Sequence, residues 1–178
     1  VPASSQKVSA SAIFKSIFTN RALLGIIVAA IFVLLSQLTV MSLAGYVYPN
    51  VYGSAAAQST ASLLGTVIML IVCAPFASKL AAKFGKKELA VASSICSALV
   101  WLVCLIWRPA SVWGFVACYI LANVGMGFFN TIIWAMITDV IDDAEVRSGI
   151  REDGTIYSVY SFARKLGQAF SSGLVGAL

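Results

Sequence analysis

The sequence predicts an all-α membrane protein of about five transmembrane helices. Composition is the first reason. Of 178 residues, 60% are hydrophobic and 11% charged, with a mean hydropathy of +0.93. A soluble domain carries about 25% charged residues, and a chain this short cannot hide so much apolar surface in one core of its own. The second reason is the placement of charge. Residues 22–78, a run of 57, contain no Asp, Glu, Lys, Arg or His, and the stretches 89–107 and 109–138 are equally free of them. One bilayer crossing needs roughly 20 apolar residues. The first run therefore holds two crossings and a turn, and each of the others holds one.

The elements follow in order. Residues 1–10 are Ser/Ala-rich and read as linker. Ser11–Asn20 places Ile13, Phe14, Ile17 and Phe18 on one helical face with Lys15 opposite, the pattern of a short helix lying on the membrane surface. Residues 1–21 are thus expected to form a cytoplasmic linker and interfacial helix, and 22–178 a transmembrane bundle. Its helices are expected at about 22–45, 56–78, 89–107, 112–138 and 154–178. Tyr46–Gly53, with three Tyr and a Pro-Asn pair, reads as an interfacial loop. The last helix pattern is still running at Leu178, so the bundle reads as truncated at its C-terminus.

Basic residues in short loops set the orientation. Lys7, Lys15, Arg21, Lys79, Lys83, Lys86, Lys87, Arg147 and Arg151 fall on one side, and Arg108 alone on the other. The nine mark the cytoplasm, so the N-terminal linker and the loops 79–88 and 139–153 are expected there. The net charge of +5 is then no nucleic-acid signal, because the basic residues form no stripe interleaved with aromatics. The absence of His argues against most zinc sites and any His-based triad. Cys73, Cys96, Cys104 and Cys118 lie in apolar runs without CxxC spacing and read as buried free thiols. No cofactor and no metal site is expected.

Three places break the apolar pattern. The loop Ser78–Glu88 holds Lys83-Phe84-Gly85-Lys86-Lys87, at the least a basic anchor. Around 138–158, Asp139 and Asp142 share a helix face at i, i+3 at the expected end of the fourth helix, where carboxylates oppose the dipole and invite basic partners. The alternative there is a solvated charged loop. The third place is Arg164-Lys165, ten or eleven residues beyond Gly154, or about 15–16 Å at 1.5 Å per residue. Charge at the bilayer centre costs about 2.5–3.5 kcal/mol, and snorkelling is a remedy for helix ends. In the fourth helix, Asn123, Gly125, Gly127 and Asn130 suit close packing, or else Asn130 offers hydrogen bonds to hydroxyls and Trp134 a stacking face; Gln37 is a fainter case.

These motifs carry a resemblance. Lys83–Lys87 is similar to the cytoplasmic loop signature of the major facilitator superfamily, with Ser78 and Ala82 replacing its first Gly and its Asp. Asp139, Asp142, Glu145, Gly149, Arg151, Gly154, Tyr157, Ser158, Lys165 and Gly167 follow a pattern that looks like the glycoside–pentoside–hexuronide:cation symporters, the melibiose-carrier type of that superfamily. Asp143 and Ala144 stand where that family often has Tyr-Gly, and Ser16–Leu24 resembles its approach to a seventh helix. The resemblance implies part of a C-terminal six-helix bundle, helices 7 to 11 of twelve. It implies a missing N-terminal half of the same protein, which would hold the cation-site carboxylates and the main sugar-binding carboxylates.

The expected function is secondary active symport of a sugar or glycoside with Na⁺ or H⁺ across the inner (plasma) membrane. The partners are that substrate, the coupling cation, the lipid bilayer and the missing half. Lys165, Asn130, Trp134 and Gln168 are the expected substrate-binding residues, and Asp139, Asp142, Arg147 and Arg151 a cytoplasmic gate. Periodicity alone leaves Arg164 and Lys165 open, since Ser158, Ser161, Lys165, Gln168, Ser172 and Tyr157, Tyr160, Arg164, Gln168, Ser171 are both helical stripes. The resemblance puts the family's intramembrane Lys at Lys165, with Arg164 toward a neighbouring helix. An enzyme would need a convergent acid/base or metal set, which the charged loop does not offer. The alternative function, a membrane channel or structural membrane subunit without transport coupling, asks for no charge at mid-depth.

Overall fold

The computed structural model describes residues 20–148 and 153–178. They form five helices: α1 (Arg21–Tyr52), α2 (Ala55–Phe84), α3 (Lys86–Trp107), α4 (Val112–Ser148) and α5 (Asp153–Ala177). Four of them, α1 to α4, are long and apolar enough to cross a membrane. Although 25 residues long, α5 is not among them, because Arg164, Lys165 and a run of Ser and Gly dilute its apolar content. Large apolar side chains such as Leu63, Leu105 and Ile106 stand exposed on the outside of the bundle, the surface a lipid solvent accepts. The surface helix expected over 11–20 lies outside the described residues apart from Asn20. That residue caps α1: its Oδ1 accepts from the amides of Ala22 and Leu23, both at 3.1 Å.

The interfacial loop expected at Tyr46–Gly53 is a correction: α1 stays helical to Tyr52 with Pro49 inside it. Two local devices allow this. The Asn50 side-chain amide donates to the Tyr46 carbonyl at 2.9 Å, and the turn falls at Gly53, in the left-handed region at φ 65°. Gly53 and Ser54 donate to the carbonyls of Pro49 and Tyr48 in a Schellman-type closure. Ser54 then caps α2.

A second correction concerns the loop 79–88. It shrinks to Gly85, with Lys79 and Lys83 on α2 and Lys86 and Lys87 on α3. Gly85 has φ 98°, and an added Cβ would overlap the Glu88 carboxylate. A third correction follows at 139–153: α4 runs ten residues past Thr138, so Asp139 and Asp142 lie inside a helix and not at its end.

The centre of the bundle is α4, packed against α2 on one side and α3 on the other, with lesser contacts to α1 and α5. Its glycines serve these contacts. A Cβ on Gly125 would meet the Ser93 carbonyl at 3.0 Å, and one on Gly127 would meet Met69 and Cys73 at 2.5 and 2.9 Å. Ser97 Oγ and Cys73 Sγ donate to the α4 carbonyls of Ala122 and Val124 at 2.9 and 3.4 Å. The α5 helix packs mainly on α1. Its buried face, Ile156, Tyr160, Ala163, Gly167 and Ser171, has helical spacing. There a Cβ on Gly167 would lie 2.8 Å from the Ile31 carbonyl, and Ser171 Oγ lies 3.0 Å from Thr39 Oγ1.

Candidate functional site

Two polar side chains from different helices meet inside this apolar bundle. Asn130 Nδ2 of α4 donates to Gln37 Oε1 of α1 at 3.2 Å, so the two fainter amide candidates form one pair. Trp134 stands one helical turn further along α4, on the same face, and is 48% exposed. Its ring meets Tyr160 of α5 edge-on at 5.5 Å between centroids. The Arg164 guanidinium lies 5.4 Å from the Trp134 ring centre and 5.8 Å from that of Tyr160. Gln37, Asn130, Trp134, Tyr160 and Arg164 thus form a band across α1, α4 and α5. Asn123 does not join it, since its amide donates to the Tyr119 carbonyl of its own helix at 2.7 Å.

Lys165 and Gln168 are elsewhere on α5. Both are exposed, together with Ser158, Ser161 and Ser172, on the face turned away from α1. The competing stripe is divided: Tyr160 and Ser171 are buried, and Tyr157 and Gln168 are not. The four expected substrate residues are therefore two pairs, one on α4 and one on the open face of α5. Arg164 and Tyr160 were not among the expected site residues. The sequence signal for them was their i, i+4 spacing on the second stripe, which becomes readable only once the rotation of α5 about α1 is known.

Contacts between helices give the level of Arg164 along the bundle. Gly167 packs at Ile31, ten residues beyond Arg21, and Trp134 precedes Asp139 by five. The guanidinium therefore lies about 7–11 Å inside the level of Arg21 and Asp139 at 1.5 Å per residue. Both α5 at its start and α4 at its end extend beyond that level. Two ring contacts on two helices hold the guanidinium there, in place of an extended side chain reaching for the rim.

At that rim, Lys86 Nζ lies 2.7 Å from both oxygens of Asp139 and 3.4 Å from the Ala135 carbonyl. The pair ties the turn between α2 and α3 to α4. Its partners are 39% and 56% exposed, and an exposed pair is worth about 0.2–1 kcal/mol. Asp142 is exposed three residues further on. Arg151 and the side chain of Arg147 lie outside the described residues.

The larger cavities are not at the polar band. One of about 790 Å³ lies between α1, α3 and α4, walled by apolar residues such as Ile26, Phe32 and Val91, with Arg21, Lys86 and Asp139 at its mouth. A smaller one of about 50 Å³ is lined by Gln37, Ser97, Tyr119 and Asn123. It is far below the size of a sugar, and one water occupies about 30 Å³ in the liquid. Among the described residues, no group of three His, Cys, Asp or Glu comes together to hold a metal ion.

Comparison with known proteins bears on what such a band serves. Residues 2–178 match the family described as MFS/sugar transport protein. The "Uncharacterized symporter YjmB" of Bacillus subtilis is 30% identical over 175 residues, which cover 96% of this chain and 37% of that protein. The "Glucuronide carrier protein homolog" of Escherichia coli is 26% identical over 158 residues, 87% of this chain and 34% of that protein. The "Putative glycoside/cation symporter YagG" of E. coli is 45% identical over 51 residues, 27% of this chain and 11% of that protein. No solved structure matches the chain. The chain spans about a third of the length of the first two relatives (37% and 34%). It belongs to the MFS/sugar transport protein family.

Proposed function

We propose that the chain forms part of a symporter that carries a sugar or glycoside with Na⁺ or H⁺ across the plasma membrane. The observation that carries this reading is the Gln37–Asn130 pair with Trp134 on the next turn. Two carboxamides supply donors and acceptors for hydroxyls, and an indole supplies a face for a pyranose ring. Sugar hydroxyls entering here would exchange for the amide–amide bond. Lys165 and Gln168 line the open face of α5 and would meet the substrate, or carboxylates, from the part of the protein beyond this chain. The coupling cation would be held in that part as well.

The Lys86 end faces the cytoplasm in this reading, because nine of the ten basic residues outside α5 belong to that side. Asp139 and Asp142, with Arg147 and Arg151, would form the gate there, opening as one half of the transporter rocks against the other. A channel or structural subunit gives no reason for Arg164 to be held against two rings inside the bundle. The glucuronide named for one relative, and the sulfoquinovose named for a putative importer of Salmonella typhimurium, widen the range of substrates to try. The test is uptake of labelled sugars by vesicles containing the full-length protein, with and without Na⁺ and H⁺ gradients. Gradient-driven accumulation is expected, and equilibration indifferent to both gradients would refute coupling.

A further inference from the structure

The small cavity of about 50 Å³ between α1, α3 and α4 borders Gln37, the residue that Asn130 bonds to. We propose that this cavity holds ordered water, and that the water, anchored by Asn123 and Ser97, fixes which end of the Gln37 carboxamide faces Asn130. Size and polarity are the first argument. A water needs about 10–15 Å³ of room and two to four polar partners. The cavity exceeds that room, and Gln37, Ser97, Tyr119 and Asn123 around it are the polar partners.

The second argument is what these side chains have left to offer. The Asn123 amide donates to the Tyr119 carbonyl at 2.7 Å, and Ser97 Oγ donates to the Ala122 carbonyl at 2.9 Å. Asn123 Oδ1 and the lone pairs of Ser97 Oγ remain as acceptors. Gln37 Oε1 accepts from Asn130 at 3.2 Å, so the two Nε2 donors of Gln37 remain as well. Among the described residues, no protein group bonds to these atoms. They are not sealed in either, because the buried polar atoms without a partner there are Tyr48 Oη and Asp153 Oδ1. A water that accepts from Gln37 Nε2 and donates to Asn123 Oδ1 and Ser97 Oγ makes three bonds, the usual number for a buried water.

The third argument is polarity. A carboxamide can turn over and exchange its donor and acceptor ends, so its neighbours decide its orientation. The Tyr119 carbonyl can only accept, which holds the Asn123 NH₂ toward it and turns Oδ1 away. Both hydrogens of the water then go to Asn123 and Ser97, and it accepts from Gln37. That turns Gln37 Oε1 toward Asn130 and makes Asn130 the donor of the pair. Asn123 and Asn130 are about 10.5 Å apart along α4 at 1.5 Å per residue, and the water carries the polarity across that distance. On the reading as a sugar symporter, the pair then offers an arriving hydroxyl a defined donor and acceptor. Asn123 and Ser97 are positioning residues that do not touch the sugar.

The experiment has two readouts on the full-length protein. The first, in nanodiscs and oxygen-depleted buffer, is X-ray radiolysis: hydroxyl radicals made from nearby water oxidise side chains, and mass spectrometry locates the added oxygen. Tyr119 lines the cavity and Tyr48 does not, although both are buried and their ring centroids are 6.2 Å apart. Tyr119 should be labelled at least fivefold faster than Tyr48. After a switch into H₂¹⁸O just before exposure, its added oxygen should still be ¹⁶O, the mark of a held water. Tyr119 as silent as Tyr48, or labelled only with ¹⁸O, overturns the inference. The second readout is uptake by vesicles of whichever labelled sugar the wild type takes up best among D-glucose, D-xylose and methyl β-D-glucuronide. Asn123→Leu keeps the size without the acceptor. It should bring the Tyr119 label down to that of Tyr48 and raise the half-saturation at least fivefold, with the maximum rate within about twofold. Should that variant fail to fold, Ser97→Ala, with one acceptor fewer, should still lower the label and raise the half-saturation about twofold. Loss of the label with an unchanged half-saturation overturns the positioning role. Uptake of none of the three sugars removes the symport reading and the positioning role with it, and the Tyr119 label alone then decides whether the water is held.

Discussion

At the Tyr52 end, α1 is closed against α3 and α4 by rings. Tyr48 is fully buried and meets Phe115 and Tyr119 at 5.2 and 6.2 Å, Trp101 meets the same two residues, and Tyr52 donates to the Pro109 carbonyl at 2.8 Å. At the Lys86 end, α3 is tied to α4 by an exposed ion pair, screened by salt, beside the apolar cluster of Ala77, Leu89 and Ile132. The two ends share helices but not chemistry. Aromatic packing is lost only by separating surfaces, whereas an exposed ion pair is exchanged for water at little cost. A transporter that must open one end while the other stays shut can place its stiff closure and its labile one in this way.

Four tests break or sharpen that contrast. The largest effect is all-or-none. In a cysteine-free background, Asn50→Cys should react with an impermeant maleimide in intact cells and Lys83→Cys should not. The reverse would exchange the sides assigned to the two ends. Lys83 is chosen because a side chain at Gly85 would be strained.

Next is Tyr48→Ala, which removes the hub of the ring cluster and should cost about 3–5 kcal/mol in the unfolding of the full-length protein. Tyr48→Phe should move the other way: the hydroxyl is buried without a hydrogen-bond partner among the described residues, and its removal should stabilise by about 1 kcal/mol. A destabilised Phe variant would mean that the hydroxyl has a partner after all. Third, Gly167→Leu forces a side chain against the Ile31 backbone and should cost about 1–3 kcal/mol, seen as a lowered Tm.

The smallest effect on stability is at the ion pair. Asp139→Asn and Lys86→Gln should each cost about 0.2–1 kcal/mol. Both should still raise the accessibility of cysteines at that end, by shifting the population toward the open form. A stability loss matching that of Tyr48→Ala would erase the contrast between the ends.

The positions of the helices were legible because lipid demands long uncharged runs, and the gaps between Arg21, Lys79, Arg108 and Asp139 marked them. The turns were less so. Pro49-Asn50 carries a local turn signal, yet burial of Tyr48 and the Asn50–Tyr46 hydrogen bond keep the helix going, and Pro75 is likewise accommodated inside α2. Charge was an equally poor guide to loops. Lys83, Lys86 and Asp139 are all helical, because a helix leaving the membrane can carry charge as readily as a loop can. In the site, Asn130 and Trp134 were readable from one helix alone, by their spacing and type. The Gln37–Asn130 bond and the Arg164 stack join residues 93 and 30 positions apart, and no single-helix pattern reports such a pairing. Which way Arg164 turns was settled by Gly167 and Ala163, whose small size seats α5 on α1.

The joint between α2 and α3 is Gly85 alone. A helix of 3.6 residues per turn rotates by about 100° for each residue added or removed. One inserted codon at this joint would turn the Ala90, Ser93 and Ser97 face of α3 off α4, present Leu89, Ala92 and Cys96 in its place, and swing Lys86 away from Asp139. Nothing between the two helices could absorb the change. Length variation, epitope tags and fusion partners should therefore be excluded from this joint, even though it lies in a basic, water-facing stretch that would otherwise invite them.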